Sequence, residues 1–354
     1  MLSDFSECLE NALSQQGILH SGMVAGLSGP TREEIDAFVA RLGQDRTARK
    51  RELFDLMVRS AEENFELDFA DLFRPFLGDP DPAIRRLAIE GLWEDEGVDL
   101  VGPMLRFLAS DPDTMVRAAA AMSLGRYLWL IVCDVLPARL GQRIEAALRA
   151  CLNDGQEHVE VRRRAVEAVA HGTEDWVRAL IERAYDDDDA LMRESAVFAM
   201  GRNADSVWTE TVLAELTSES PSMRYEAARA AGEMQLRKAV ERLVAMIGDP
   251  DAEVQEMAIW ALGQIGGRRA RTVLQRYAAS DDEALSVAAS EALDEMGFAE
   301  RPLDLMLHEI PEAHSDEDAL DEYDQDDDDD AAFAEDERDE EEDAYWRGET
   351  LDLD

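Results

Sequence analysis

Aromatic side chains are scarce in this sequence, at 6 % of 354 residues. Alanine fills much of the gap, and that mix suits closely packed helices better than sheets. Cysteine is scarcer still: Cys8, Cys133 and Cys151 are odd in number and far apart. That excludes a disulfide framework and points to a reducing compartment. The five histidines, His20, His158, His171, His308 and His314, fall into no metal-ligand spacing. Neither Cys133 nor Cys151 has a Cys or His neighbour in a zinc pattern.

Positive charge is also short. Lys and Arg number 35 against 80 Asp and Glu, a net charge of −45. Residues 309–354 hold 24 acidic and 2 basic side chains, a net of −22, which leaves −23 on the remainder. Both parts repel polyanions, whereas phosphate neutralisation needs a cationic footprint, so no nucleic-acid partner is expected. The longest apolar run, LWLIVC at Leu128–Cys133, is too short to cross a bilayer. MLSDFSECLENALSQQG has no basic region ahead of an apolar core and is no signal peptide. The expectation is a soluble cytoplasmic protein without a membrane partner. No P-loop, dinucleotide fingerprint, nucleophile elbow or zincin helix is present. Asp186–Asp189 opens a helix, where carboxylates favour the dipole. Asp326–Asp330 lacks the glycine and closing Glu of an EF-hand loop. No metal, cofactor or catalytic residue is expected.

What is present is repetition. GDPDPAIRRLAIEGLW, SDPDTMVRAAAAMSLGRYL and GDPDAEVQEMAIWALGQIGG share one pattern. Aligned on the apolar residue opening each helix, they give Ile84, Val116, Val161, Met192, Met223, Val254 and Leu285. The intervals are 32, 45, 31, 31, 31 and 31, and such a fixed period signals a stacked solenoid. The long interval holds an extra segment at about residues 127–141. Four residues on, all seven units carry alanine, from Ala88 to Ala289, so another helix lies close. Nine residues on, Gly125, Gly201, Gly232 and Gly263 are expected to end the helix as left-handed caps. A second helical pattern precedes each of these, as in KAVERLVAMIGD, so each unit is an antiparallel pair that must stack on its neighbours.

The phrase DPDxxVRxxAxxALGxxG resembles the HEAT repeat, in the short form of HEAT-like proteins related to phycobilin lyases. It runs from about Phe65 to Phe298, in seven units. The resemblance implies an all-α, armadillo-like fold, a right-handed α-solenoid of stacked antiparallel helix pairs. Around it we expect a partly ordered segment at 1–30, capping helices at 31–64 and a disordered acidic tail at 299–354. Tyr345 and Trp346 in the tail are a candidate docking motif. HEAT-like arrays serve as scaffolds, adaptors, lyases and DNA-repair proteins, so the fold alone assigns no activity.

Two columns are candidate sites. One residue after the opener stand Arg85, Arg117, Arg162, Arg193 and Arg224, replaced by Gln255 and Ser286 in the last two units. They read as a structural ladder in which each guanidinium bridges loop carboxylates such as Asp81, Asp113 or Asp188. The other reading is an anion-binding stripe. Two and six residues after the opener, on the face expected to be concave, lie Glu194, Phe198, Tyr225, Arg229, Glu256 and Trp260, with Met122 further off. Tyr, Trp and Arg are common anchors of protein interfaces. This column therefore suggests partner binding, against the alternative that each ring packs on the next helix. If Tyr225, Arg229 and Trp260 are anchors, their replacement by alanine leaves thermal stability intact.

The function expected is a non-catalytic scaffold or adaptor for a protein partner with a basic or mixed-charge surface. The alternative is a lyase-like or chaperone-like factor handling a bilin, although no bilin-handling residue can be matched. A DNA-repair glycosylase, for which Glu256 would be the acid, has the wrong sign of charge.

Overall fold

The computed structural model describes residues 4–14, 19–43 and 48–299. These fall in one compact unit spanning residues 1–301. Of the expected tail, all but Ala299 lies outside the described residues, including His308, His314, Tyr345 and Trp346.

Among the described residues every regular element is helical. The chain opens with α1 (Asp4–Leu13), α2 (Arg32–Leu42) and α3 (Ala48–Glu63). Unit one pairs α4 (Ala70–Phe73), continued by a 3-10 turn, with α5 (Pro82–Gly91), and unit two pairs α6 (Val101–Ser110) with α7 (Thr114–Val132). Next come α8 (Ala138–Asn153) with α9 (Val159–Val169), and α10 (Asp175–Tyr185) with α11 (Ala190–Asn203). The last three pairs are α12 (Thr209–Glu215) with α13 (Pro221–Glu233), α14 (Val240–Met246) with α15 (Ala252–Ile265), and α16 (Gly267–Ala278) with α17 (Glu283–Ala299). Each odd-numbered helix from α3 to α17 touches the next odd one, and α2 meets α4 as α14 meets α16. The result is an all-α array of stacked antiparallel pairs.

The turn that feeds each inner helix explains its own sequence. In Asp79-Pro80-Asp81, Asp79 Oδ1 accepts the Asp81 amide at 2.9 Å, and Asp81 Oδ1 accepts the Ala83 amide at 3.0 Å. The second Asp is thus the helix N-cap. Asp113, Asp189 and Asp251 repeat the arrangement, while His158 and Ser220 substitute as caps in their units. Along the helices, Ala88, Ala120, Ala165, Ala196, Ala227, Ala258 and Ala289 are all 0 % exposed. They floor the contact between successive inner helices.

The glycine column has a different role from the one expected. Gly125, Gly201, Gly232 and Gly263 lie inside α7, α11, α13 and α15, and among described glycines only Gly29, Gly266 and Gly267 have positive φ. A Cβ on Gly125 would sit 2.7 Å from Ala168 Cα, on Gly201 2.8 Å from Ala230 Cα, and on Gly232 3.0 Å from Ala261 Cα. These glycines give up side chains so that the next inner helix can approach, rather than to cap a helix end.

Three further features differ from the sequence reading. The segment at about 127–141 is largely helix: α7 runs 19 residues, against 11 to 14 in α9, α11, α13 and α15. By length and composition α7 could span a membrane. Yet Val116, Ala120, Leu124 and Tyr127 are buried within the array, as expected of a core helix. Upstream, α3 stacks on α5 as a preceding inner helix, and Phe38, Phe54, Phe73 and Phe76 meet there with ring centroids 5.0–6.0 Å apart. Among the described residues of 1–30, Phe5, Leu9 and Ala12 of α1, with Val24 and Leu27, are buried in the same core.

Candidate functional site

The arginine column spans neighbouring units. Arg85 donates through Nε and Nη2 to Asp111 of the following turn at 2.9 and 2.7 Å, and through Nη1 to the Asp79 carbonyl of its own turn at 2.9 Å. Arg117 does the same with Glu157 and the Asp111 carbonyl, and Arg224 with Asp249 and the Ser218 carbonyl. The carboxylates differ from those expected. Asp81 and Asp113 are occupied as N-caps, and Asp188 offers its carbonyl to Arg193. In Asp111 and Asp249 both oxygens accept the arginine of the preceding unit, and Oδ1 also accepts the amide two residues on, which holds the turn.

Two rungs are incomplete. Arg193 bonds only carbonyls of its own turn, and Arg162 Nε is buried without an acceptor among the described residues. Gln255 keeps the carbonyl bond, to Asp249 at 2.6 Å, and dispenses with the carboxylate. The ladder also starts one unit earlier than the repeat pattern suggested. Lys50 of α3 pairs with Asp79 at 2.6 Å, with both side chains nearly inaccessible. The signal in the sequence was the lysine at the fourth position of TARKRELF, hidden because α3 lacks the alanine and glycine columns.

The variable column separates into two groups. Arg229 is buried, 8 % exposed. It donates to Glu226 at 2.9 Å and Glu233 at 2.5 Å, and its guanidinium lies 3.8 Å from the Phe198 ring centroid. It is therefore a packing group, contrary to its expected role as an accessible anchor. Burial holds the Glu226 carboxyl above its usual range. Trp260 covers Gly232, where a Cβ would lie 2.7 Å from Trp260 Cζ3. Tyr225 is half-buried against the core, and burial raises its phenol pKa. Glu194 is engaged by the Ser222 hydroxyl, whereas Glu256 stands exposed. Met122 and Phe198, which sequence spacing set apart, line one groove.

That groove encloses about 350 Å³ on the inner-helix face of units one to four. Trp93, Met122, Trp129, His171, Phe198 and Arg202 frame it, over a floor that includes Gly125 and Ala168. Trp93 and Trp129 remain nearly half exposed. Trp129 packs against His171 with centroids 4.5 Å apart and ring planes tilted by 40°, and burial, with Arg202 nearby, lowers the His171 pKa to about 4. The imidazole is thus neutral at physiological pH. The cations here already have partners: Arg126 reaches Glu96, Arg164 bridges Glu160 and Glu167, and Arg202 reaches Glu233 at 3.4 Å. Away from the groove, burial pushes the Cys151 thiol up to about 11. Trp93 was missed because it takes the place of the glycine nine residues past its opener, and Trp129 and His171 because they lie thirteen and ten residues past theirs, outside the columns that repeat.

The family model for HEAT repeats matches residues 70–138 and 209–294. Residues 139–208, between those matches, carry the same helix pairs, α8 with α9 and α10 with α11. No curated protein matches the sequence. Among solved structures, the complex of CpcE and CpcF of phycocyanin lyase from a Nostoc species is 17 % identical, covering 80 % of this chain and 97 % of that one, at a TM-score of 0.47. The Escherichia coli protein YibA is 18 % identical over 80 % of this chain and 98 % of its own, at 0.44. Human deoxyhypusine hydroxylase is 18 % identical over 75 % and 96 %, at 0.33. Likeness at this level carries no argument about activity.

Proposed function

The chain is a HEAT-like repeat protein, and from that premise we propose that it acts as a non-catalytic protein-interaction scaffold, seating a partner on the inner-helix face of units one to four. The observation that carries this is the gathering of Trp93, Met122 and Trp129, all more than two-fifths exposed, over one groove in a chain poor in aromatics. Exposed aromatic clusters of this kind supply interface anchors. The paired cations leave the groove without a field for anions, and the net charge of −45 favours a basic or mixed-charge partner. Affinity purification with the native chain and a Trp93→Ser/Trp129→Ser variant tests it. The partner is lost from the variant while its melting temperature stays within about 2 °C, a shift below 1 kcal/mol for a chain of this size. A variant that keeps every partner removes the groove from the function.

A second reading, a lyase-like factor holding a linear tetrapyrrole, has one observation in its favour: flat rings in the same groove stand beside Arg202. A bilin absorbance shift that Trp129→Ser abolishes supports it, and an unchanged spectrum removes it.

A further inference from the structure

We propose that the partner of this groove presents a basic amphipathic helix, which lies along an exposed apolar stripe on the C-terminal half of α7. The proposal rests on the scaffold reading and specifies what the groove grips.

The stripe consists of Met122, Trp129 and Val132, spaced seven and three residues apart on α7, so they share one face of the helix. They are 42 %, 45 % and 56 % exposed. Val135, also exposed, follows in a loop whose amide returns to the Leu130 carbonyl at 2.8 Å. Trp93 flanks the stripe across the groove. Over Met122–Val132 the helical rise gives about 15 Å, or three turns for a facing helix. At this end α7, with 19 residues, outruns α9, α11, α13 and α15, which have 11 to 14, while α17 has 17. Two clefts border this end of α7: the groove, and a smaller hollow lined by Ile131, Val132, Glu145, His171, Glu174 and Trp176. His171 borders both. A helix face bordered by clefts is a surface on which side chains of a second helix can interdigitate.

Charge chooses the occupant. Glu94 and Glu96 stand exposed beside Trp93, with Glu96 reached by Arg126 at 3.4 Å, and Glu145 and Glu174 edge the smaller cleft. Burial and then the neighbouring Glu174 hold the Glu145 carboxyl above its usual range against the pull of Arg149, whose guanidinium lies 4.5 Å from the Trp176 ring centroid. A second copy would bring a further net charge of −45 and the same acidic rim, and like charges facing each other oppose that pairing. A helix with leucine on one face and lysine at its margins answers both the stripe and the rim.

The test uses the full chain and three labelled peptides of about 18 residues, about 27 Å as a helix. One is an amphipathic Leu/Lys helix, one a scrambled isomer of the same composition, and one a Glu-for-Lys analogue. Fluorescence anisotropy is followed against Met122→Lys, Val132→Lys and, as a remote exposed control, Val287→Lys. The proposal expects the amphipathic peptide to bind at least tenfold tighter than either analogue. Met122→Lys and Val132→Lys each weaken it about tenfold or more, and Val287→Lys leaves it unchanged. It is overturned if the scrambled peptide binds equally, which marks simple polyelectrolyte attraction, or if Val132→Lys has no effect. Sedimentation showing a dimer that Val132→Lys dissociates also overturns it, by assigning the stripe to a second copy. A partner that depends on Trp129 in affinity purification, with no discrimination among the peptides, sinks the helix and leaves the scaffold reading standing. Peptide discrimination with every natural partner retained by the Trp93→Ser/Trp129→Ser variant does the reverse.

Discussion

Gly125 of α7 lies so close to Ala168 of α9 that a Cβ on the glycine would stand 2.7 Å from Ala168 Cα and 2.8 Å from its Cβ. Both neighbours are small, so two inner helices touch backbone to backbone. The spacing repeats at Gly201 with Ala230 and Gly232 with Ala261.

Gly125→Ala therefore destabilises the array, although the same change in an open helix adds propensity. The obstruction is backbone, which cannot rotate aside, and overpacking costs about 1–3 kcal/mol. Gly155→Ala, where nothing lies within 4 Å of the added methyl, is near neutral. Thermal denaturation of the two variants side by side measures the difference. Equal melting temperatures would show that α7 and α9 can separate without cost.

The Arg224–Asp249 rung makes stability depend on acid. Hydrogen bonding by Arg224 holds the Asp249 carboxyl below its ordinary range. A depressed folded pKa gives stability that is fully present above the ordinary carboxylate range and is lost as pH falls through the folded value. Arg224→Gln, which imitates Gln255, keeps the turn carbonyl bond and removes the charge. Its denaturation midpoint falls less steeply with acid than that of the native chain between about pH 5 and 2. Parallel slopes would refute a role for this pair.

Arg229→Ala lowers the melting temperature. It leaves Glu226 and Glu233 without their shared cation and uncovers the Phe198 ring. Removing one member of a buried ionic cluster costs up to about 3 kcal/mol, less where water reaches the carboxylates. The loss shrinks in mild acid, because protonated Glu226 no longer needs a partner. Glu256→Ala, at an exposed position of the same column, changes stability by less than about 0.5 kcal/mol. Chemical denaturation at two pH values separates these outcomes.

His171 gives a second pH window. Its folded pKa is about 4, against an ordinary value of 6.5. Between those values the unfolded chain takes up a proton that the folded site refuses, so stability falls as pH drops through the window. His171→Gln flattens that part of the profile. Proton NMR of the imidazole reads the titration directly, and a midpoint near 6.5 would contradict the packing against Trp129.

The repeat itself was legible in the sequence. The Asp caps, the buried alanines and the arginine one residue past the opener recur at fixed spacing because each answers a need within one unit or at one recurring contact. The irregular parts were not. Lys50 starts the ladder in a helix without the alanine and glycine columns, and only the stacking of α3 on α5 places it beside Asp79. Arg229 looked accessible by its column, and only Phe198 from the preceding unit shows it covered. Trp93, Trp129 and His171 come from three different units at three different offsets, so no period joins them. Local chemistry writes helices and turns into the chain one unit at a time. A groove between units depends on how closely neighbouring backbones approach, and that distance is set by small residues many positions away.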